Sequence, residues 1–269
     1  MKIYNRSPFW RRAFRALGLR LFKLAENDDE PRLERNGEAW LLRSLLAKYA
    51  AENRSGRPFV VYDAGANEGD YTGNVLTQAD RIGCGVEIHL FEPSPFCVET
   101  LRKRFGGEAA ARITCAALSD QEGSAWLHGG KNGSSQASLV VREGVKTDES
   151  IQVPLIRLGD YLAARTGARV DLLKLDVEGA ELAALRGLGV WLRPEVIETI
   201  QFEYGGTTLD AGVSLRDLFR LLEARVYVLA KLLPSALEVR TYRPWMEHYS
   251  CANYVAISPR LTLAGLVRP

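Results

Sequence analysis

The chain has 269 residues, 46% of them apolar and 25% charged, and a formal net charge of +2. That balance excludes a disordered, fibrous or collagen-like chain and suits one large α/β domain with a modest extension. Four cysteines without a C-x-x-C pair argue against a cysteine zinc site or a disulfide framework, and the near-neutral charge leaves no nucleic-acid footprint.

The charge is unevenly placed. Residues 1–25 hold seven basic residues and no acid, so the remainder is mildly acidic. On a helical wheel Phe9, Trp10, Ala13, Phe14, Leu17, Leu21 and Leu24 share one arc, and Arg11, Arg12, Arg15 and Lys23 lie opposite. Leu19 and Phe22 interrupt the polar face. Residues 8–25 therefore read as a basic amphipathic helix, suited to peripheral contact with the inner face of a membrane, or to packing on the domain or on a second copy in a homo-oligomer. No run of 18 apolar residues exists and arginines break up Phe14 to Phe22, so neither a span nor export is expected; the setting is cytoplasmic. The acid-rich stretch Glu26 to Glu38, with Pro31 and Gly37, reads as a linker, and Glu38 to Ala51 as a second helix. Residues 1–50 thus form an extension to a main domain over 51–269.

From there short apolar runs alternate with helical patterns. Strands are expected over Phe59–Tyr62, Val86–Phe91, Ile113–Leu118, Leu172–Leu175, Ile197–Phe202, Val226–Leu229 and Tyr254–Ile257, which implies parallel strands with crossover helices. Residues 121–157, with strand-like runs at Ser124–His128 and Ile151–Arg157, read as an inserted hairpin and loop beside the ligand edge.

The stretch from Val60 to Gly69 reads as a strand ending in an acid, Asp63, and then a Gly-containing turn into a helix. Gly65 and Gly69 permit a tight turn and close backbone approach, and the helix start offers free N–H groups. Leu90-Phe91-Glu92-Pro93 puts Glu92 at the end of the second strand, where a carboxylate accepts both ribose hydroxyls of an adenosine cofactor. NAD and S-adenosylmethionine both satisfy this pattern. Asn67 stands where G-x-G-x-x-G needs its second glycine, and Asp63 repels a pyrophosphate but suits the ammonium and sulfonium of the methyl donor. The methyl donor fits better, with a nicotinamide oxidoreductase as the alternative.

Five ordered motifs resemble those of the FkbM family of S-adenosylmethionine-dependent methyltransferases: Asp63-Ala64-Gly65-Ala66-Asn67-Glu68-Gly69, Phe91-Glu92-Pro93-Ser94-Pro95, Ala117-Leu118-Ser119-Asp120, Gly133-Ser134-Ser135 and Lys174-Leu175-Asp176-Val177-Glu178-Gly179-Ala180-Glu181. The resemblance implies a class I (Rossmann-like) methyltransferase fold, an α/β architecture with a mostly parallel seven-stranded sheet and helices on both faces. It implies that Asp63, Gly65, Ala66, Asn67 and Gly69 surround the amino-acid part of the cofactor and that Glu92, followed by Pro93, binds its ribose. Leu118, Ser119 and Asp120 would border the adenine, with Tyr71 and Thr72 either lining the pocket or facing out from the helix. It also implies O-methylation of a sugar in a glycan or glycolipid, or of a natural product; a non-catalytic, membrane-associated binding protein on the same scaffold is the other class of reading.

Methyl transfer needs an acceptor held in line with the sulfonium, and a hydroxyl acceptor also needs a base or an acidifying metal. Lys174 and Asp176 are two apart on one strand and share a face, and Glu178 and Glu181 follow. Asp176 is the favoured catalytic residue, with Lys174 tuning it and Glu178 beside it. Glu178 and Glu181 equally suit helix capping, and Mg2+ is not favoured, because the spacing matches no oxygen cage. Glu203 and Tyr204 end the fifth strand, facing the acceptor or forming a rim. His89 reads as a core histidine, while His128, His248 and the aromatics Tyr242, Trp245 and Tyr249 are open between substrate contact and packing under a loop.

Overall fold

Phe59–Ala64 (β1) is apolar up to Asp63, and the sheet buries it on both faces: Tyr62 and Ala64 enter one core, Phe59 and Val61 the other. Two-sided burial of this kind belongs to a central parallel strand. The computed structural model describes residues 8–52, 56–129, 137–141, 150–261 and 266–268.

β1 pairs in parallel with Val86–Phe91 (β2) and Leu172–Leu175 (β7). Ala111–Thr114 (β3) continues the sheet beyond β2, and Thr199–Tyr204 (β8) beyond β7, again in parallel. Ala252–Ile257 (β11) then inserts antiparallel between β8 and Val228–Leu233 (β9). Ala236–Val239 (β10) folds back on β9, and the short Val267–Arg268 (β12) closes the edge, giving the order β12-β10-β9-β11-β8-β7-β1-β2-β3. This is the class I methyltransferase arrangement with its reversed strand near one edge, and the β10 and β12 edge adds two strands to the seven expected.

Helices cover both faces. Glu38–Ala51 (α3), Asp70–Ile82 (α4) and Pro95–Phe105 (α5) bury Leu41, Leu42, Leu46, Val75 and Leu101 with Val61 and Ile88. Leu158–Ala163 (α6), Glu181–Gly187 (α7) and Leu215–Glu223 (α9) bury Leu162, Leu185, Leu218 and Phe219 with Tyr62 and Leu173 on the other face. A short helix, Gly206–Asp210 (α8), follows β8.

Three expected elements differ. The run Ile113–Leu118 is not one strand: it leaves the main sheet after Thr114, and Ala117–Leu118 (β4) joins Gly123–Leu127 (β5) and Ile151–Ile156 (β6) in a separate sheet of order β4-β6-β5. Ala117, Leu127, Val153 and Leu155 give that sheet its own apolar cluster, so a continuous apolar run serves two cores. The strand expected from Val226 starts two residues later, because Val226 is exposed and turns at a positive φ of 68°. The stretch 26–38 is not a free linker. Pro8–Glu26 (α1) ends on Glu26, which pairs with Arg240, and Leu33–Asn36 (α2) follows. Between them Asp28 accepts from Lys231 Nζ at 2.6 Å, both side chains fully buried. Glu26 and Asp28 are thus matched to cations after β10 and on β9, about 200 residues away, while Asp29 and Glu30 pair nearby with Lys23 and Arg32.

Candidate active site

The carboxyl ends of β1, β2, β7 and β8 converge on a cavity of about 420 Å3. Its floor is the turn after β1. Gly65 has φ 78°, and a Cβ there would lie 1.7 Å from the carbonyl oxygen of Asp176, so only glycine lets the β1 and β7 ends meet. Asn67, also at positive φ (48°), donates its backbone N–H to Glu92 Oε2 at 2.9 Å, and Ser94 N–H donates to Glu92 Oε1 at 2.8 Å. The turn and the second strand end are therefore tied through one buried carboxylate. Burial pushes the Glu92 carboxyl above its usual range, against the two N–H bonds that favour its charged form.

Phe91, Pro93, Ala116, Ala117, Leu118 and Leu127 form an apolar wall beside Glu92, much of it from the small sheet. Ser138 Oγ donates to the Glu178 carbonyl at 2.6 Å, and Ala137 and Leu139 line the cavity, so the insertion lies on the ligand edge as expected. The Gly133-Ser134-Ser135 motif falls outside the described residues.

The opposite wall is acidic. Asp176, Glu178 and Glu203 line it, with Ala180, Cys251 and Pro31. Lys174 Nζ donates to Asp176 Oδ2 at 2.9 Å; the lysine is buried, whereas the Asp176 side chain is about a third exposed. Burial works against the charge on Lys174, but the carboxylates of Asp176, Asp63 and Glu38 hold its pKa above the usual lysine value. Glu203 is pushed up to about 9 by burial and by the neighbouring charges of Asp176 and Glu178. Glu178 sits at a positive φ of 51°, so two non-glycine residues in the left-handed region, Asn67 and Glu178, border one cavity.

Other candidates stand behind this lining. Asp63 is fully buried, accepts from Thr72 Oγ1 at 2.7 Å, and is raised by burial against the pull of Lys174. Ala66 and Tyr71 lie in the core on the α3–α4 side, and Gly69 packs its Cα face toward the Phe105 ring. Ser119 is buried, donating its N–H to the Ile156 carbonyl, and Asp120 is exposed beside it. Glu181 folds back to accept the N–H groups of Val177 and Gly179, which makes it the cap of the Asp176–Ala180 loop; burial raises it to about 7.

The histidines do not line the cavity. His89 is buried between Tyr161 and Glu87 and pushed down to about 4 by burial, a sheet histidine as expected. His128 bonds to Ser150, and His248 packs on Phe22 with Nδ1 3.5 Å from Asp28. Trp245 also packs on Phe22, so it serves α1 and not the pocket. Cys251 and Pro31 are cavity residues that no sequence motif marks.

Among the described residues the lining carries four carboxyl groups and no lysine, arginine or histidine. This set fits S-adenosylmethionine: Glu92 for the ribose, the apolar wall for the adenine, and surrounding negative charge for an ammonium and a sulfonium. It opposes the pyrophosphate of a nicotinamide dinucleotide. No group of three or more His, Cys, Asp or Glu among the described residues is arranged to hold a metal ion.

Comparison with known proteins follows the same lines. The chain is 29% identical over 158 residues to 31-O-demethyl-FK506 methyltransferase FkbM of Streptomyces tacrolimicus, covering 48% of this chain and 59% of that protein. It is also 29% identical over 224 residues to methyltransferase sdnD of Sordaria araneosa, covering 66% and 85%. A crystal structure of methyltransferase FkbM from Methylobacillus flagellatus KT is 15% identical, with a TM-score of 0.47 over 74% of this chain and 43% of that one. The chain therefore spans less than two thirds of the Streptomyces relative and of that solved structure. The model of the methyltransferase FkbM domain matches residues 63–229, from the acid that closes β1 to the start of β9. With the turn, the Glu92 bridge and the acids Asp176, Glu178 and Glu203 inside that span, this chain belongs to the FkbM family of methyltransferases.

Proposed function

We propose that the protein transfers the methyl group of S-adenosylmethionine to a hydroxyl oxygen of an uncharged, hydroxyl-rich acceptor: a sugar of a glycan or glycolipid, or a natural product. The observation that carries this reading is the acidic wall, in which Asp176 faces the cavity while Glu203, raised to about 9, stays protonated near neutral pH. A protonated carboxyl donates and a carboxylate accepts, so the pair can hold one hydroxyl by both its oxygen lone pair and its proton. An anionic acceptor is repelled by the same wall.

When bound, S-adenosylmethionine supplies an electrophilic methyl on a sulfonium. The protein then has to position the acceptor and remove one proton. In this reading Asp176, which lines the cavity, takes that proton, and the bond from Lys174 to its Oδ2 supports the role by holding the carboxylate. The name of the Streptomyces relative, a 31-O-demethyl-FK506 methyltransferase, supports oxygen as the acceptor atom.

The test is a titration of the protein with S-adenosylmethionine and, separately, NAD, followed by transfer of a labelled methyl to a panel of neutral, anionic and amine-bearing acceptors. Binding of the methyl donor alone, with transfer to neutral hydroxyl compounds, is the expected result. Binding of NAD refutes the cofactor, and transfer confined to amines or to anionic acceptors refutes the acceptor class.

A further inference from the structure

α1 projects from the domain. Its residues from Phe9 to Leu21 are exposed, and among the described residues its last turns meet the body, Phe22 against Trp245 and His248 and Glu26 against Arg240. At about 100° per residue, Phe22 and Glu26 fall within about 40° of each other, on the side of Arg11, Arg12, Arg15 and Lys23. The apolar arc of Phe9, Trp10, Leu17, Leu21 and Leu24 points the other way, and Leu24 is 79% exposed although Glu26, two residues on, is buried. The domain thus holds α1 by its polar side and leaves the apolar stripe outward. Phe22, which interrupts the polar face in sequence, is the docking residue.

We propose that α1 is an interfacial helix that seats the enzyme on an anionic lipid surface, with its active-site mouth at that surface. Two observations select lipid as the occupant. Residues 1–25 carry seven basic groups and no acid, so a second copy of this segment would meet it with like charge, whereas anionic headgroups neutralise it. The stripe also opens with Phe9 and Trp10, side chains suited to the headgroup boundary, and among the described residues no helix is long and apolar enough to cross a bilayer.

The helix is joined directly to the site. Asp29 donates its N–H to the Cys251 carbonyl and accepts the Cys251 N–H on Oδ1, and Pro31 and Cys251 both line the acidic wall. A surface held by α1 therefore lies next to the acceptor side of the cavity, which narrows the proposed acceptor to a hydroxyl group on a lipid-linked molecule. This narrowing rests on the function proposed above; the membrane docking does not.

The experiment is flotation of the full chain with phosphatidylcholine vesicles containing about one third phosphatidylglycerol, and with phosphatidylcholine alone. Wild type is expected to float with the anionic vesicles only, and Leu17→Glu/Leu21→Glu to lose at least about tenfold in partitioning, while Leu19→Glu, on the arginine side, keeps most of it. Titration with S-adenosylmethionine, unchanged in all three proteins, shows that the domain stays folded and separates failure of docking from failure of the cofactor assignment. No flotation, or flotation unaffected by the stripe substitutions, overturns the proposal. A dimer in sedimentation velocity that the stripe substitutions dissociate, without vesicle binding, overturns it in favour of self-association.

Discussion

Lys174 and Asp176 stand two residues apart at the end of β7, and the buried ammonium of the first lies 2.9 Å from the cavity-facing carboxylate of the second. In the function proposed above the pair divides the labour: Asp176 meets the acceptor and Lys174 holds the Asp176 carboxylate in place. Asp176→Asn is expected to lower turnover about 100-fold or more while S-adenosylmethionine affinity falls far less, since Asp176 is one of several acids around the cavity but the proposed base. Lys174→Met should lower turnover less, because Asp176 keeps its carboxylate but loses the donor that holds its Oδ2. Single-turnover rates, with calorimetric donor affinity, read both.

Glu92 ties the turn after β1 to the end of β2 and is also the proposed ribose partner. Glu92→Ala removes the acceptor of two backbone N–H groups and the ribose partner together, so donor affinity should fall by about 1–3 kcal/mol and stability with it. Glu92→Gln keeps a carbonyl for one N–H and should recover part of the stability but little of the affinity. Unchanged affinity in both variants removes Glu92 from the cofactor site.

Glu203 is expected to make stability fall as pH rises. Its folded pKa is raised from 4.5 to about 9, so across that window the folded state keeps a proton that the unfolded chain has lost. Bound protons in excess in the folded state mean that stability is greatest below the unfolded pKa and declines up to the folded one. Glu181, raised to about 7, adds the same sign over the lower part of the range. The Tm of Glu203→Gln should therefore exceed that of wild type by more at pH 9 than at pH 5. Parallel curves would show that Glu203 ionises freely.

Asp28 and Lys231 form an ion pair with no exposure on either side chain. Asp28→Asn strands a buried ammonium and is expected to cost about 3–5 kcal/mol in denaturant unfolding, whereas Asp28→Leu/Lys231→Met removes both charges and should cost much less. Equal losses in the two proteins would mean that packing, not charge, holds residues 26–31 to β9.

The parts of the site legible in sequence are those whose chemistry is local. A glycine at positive φ beside an acid at a strand end marks the Gly65 turn, and Glu92 follows from its place at the end of the next strand. What the sequence hides is brought together from afar. Glu203 closes its strand with nothing local to show that Asp176 and Glu178 raise its pKa, and Pro31 and Cys251 reach the cavity only because Asp29 pairs with a residue 222 positions away. The residues 26–38 read as a linker because an acid-rich polar stretch looks solvated; the cations that pair with Glu26 and Asp28 lie after β10 and on β9. The same limit applies to β4, where an apolar run gives no sign of where it changes sheets. Asp63 and Tyr71, in turn, carry the signature of the site but sit behind it, buried against Thr72 and the α3–α4 core.

The pairing of Asp29 with Cys251 also makes one side of the cavity depend on the finished sheet. Pro31 and Cys251 line the cavity together, and Cys251 stands at the head of β11, which pairs with both β8 and β9. A fault in the seating of β11 is therefore felt at the cavity wall as well as in the sheet, whereas the turn at Gly65 and its tie to Glu92 are built from neighbouring strands alone.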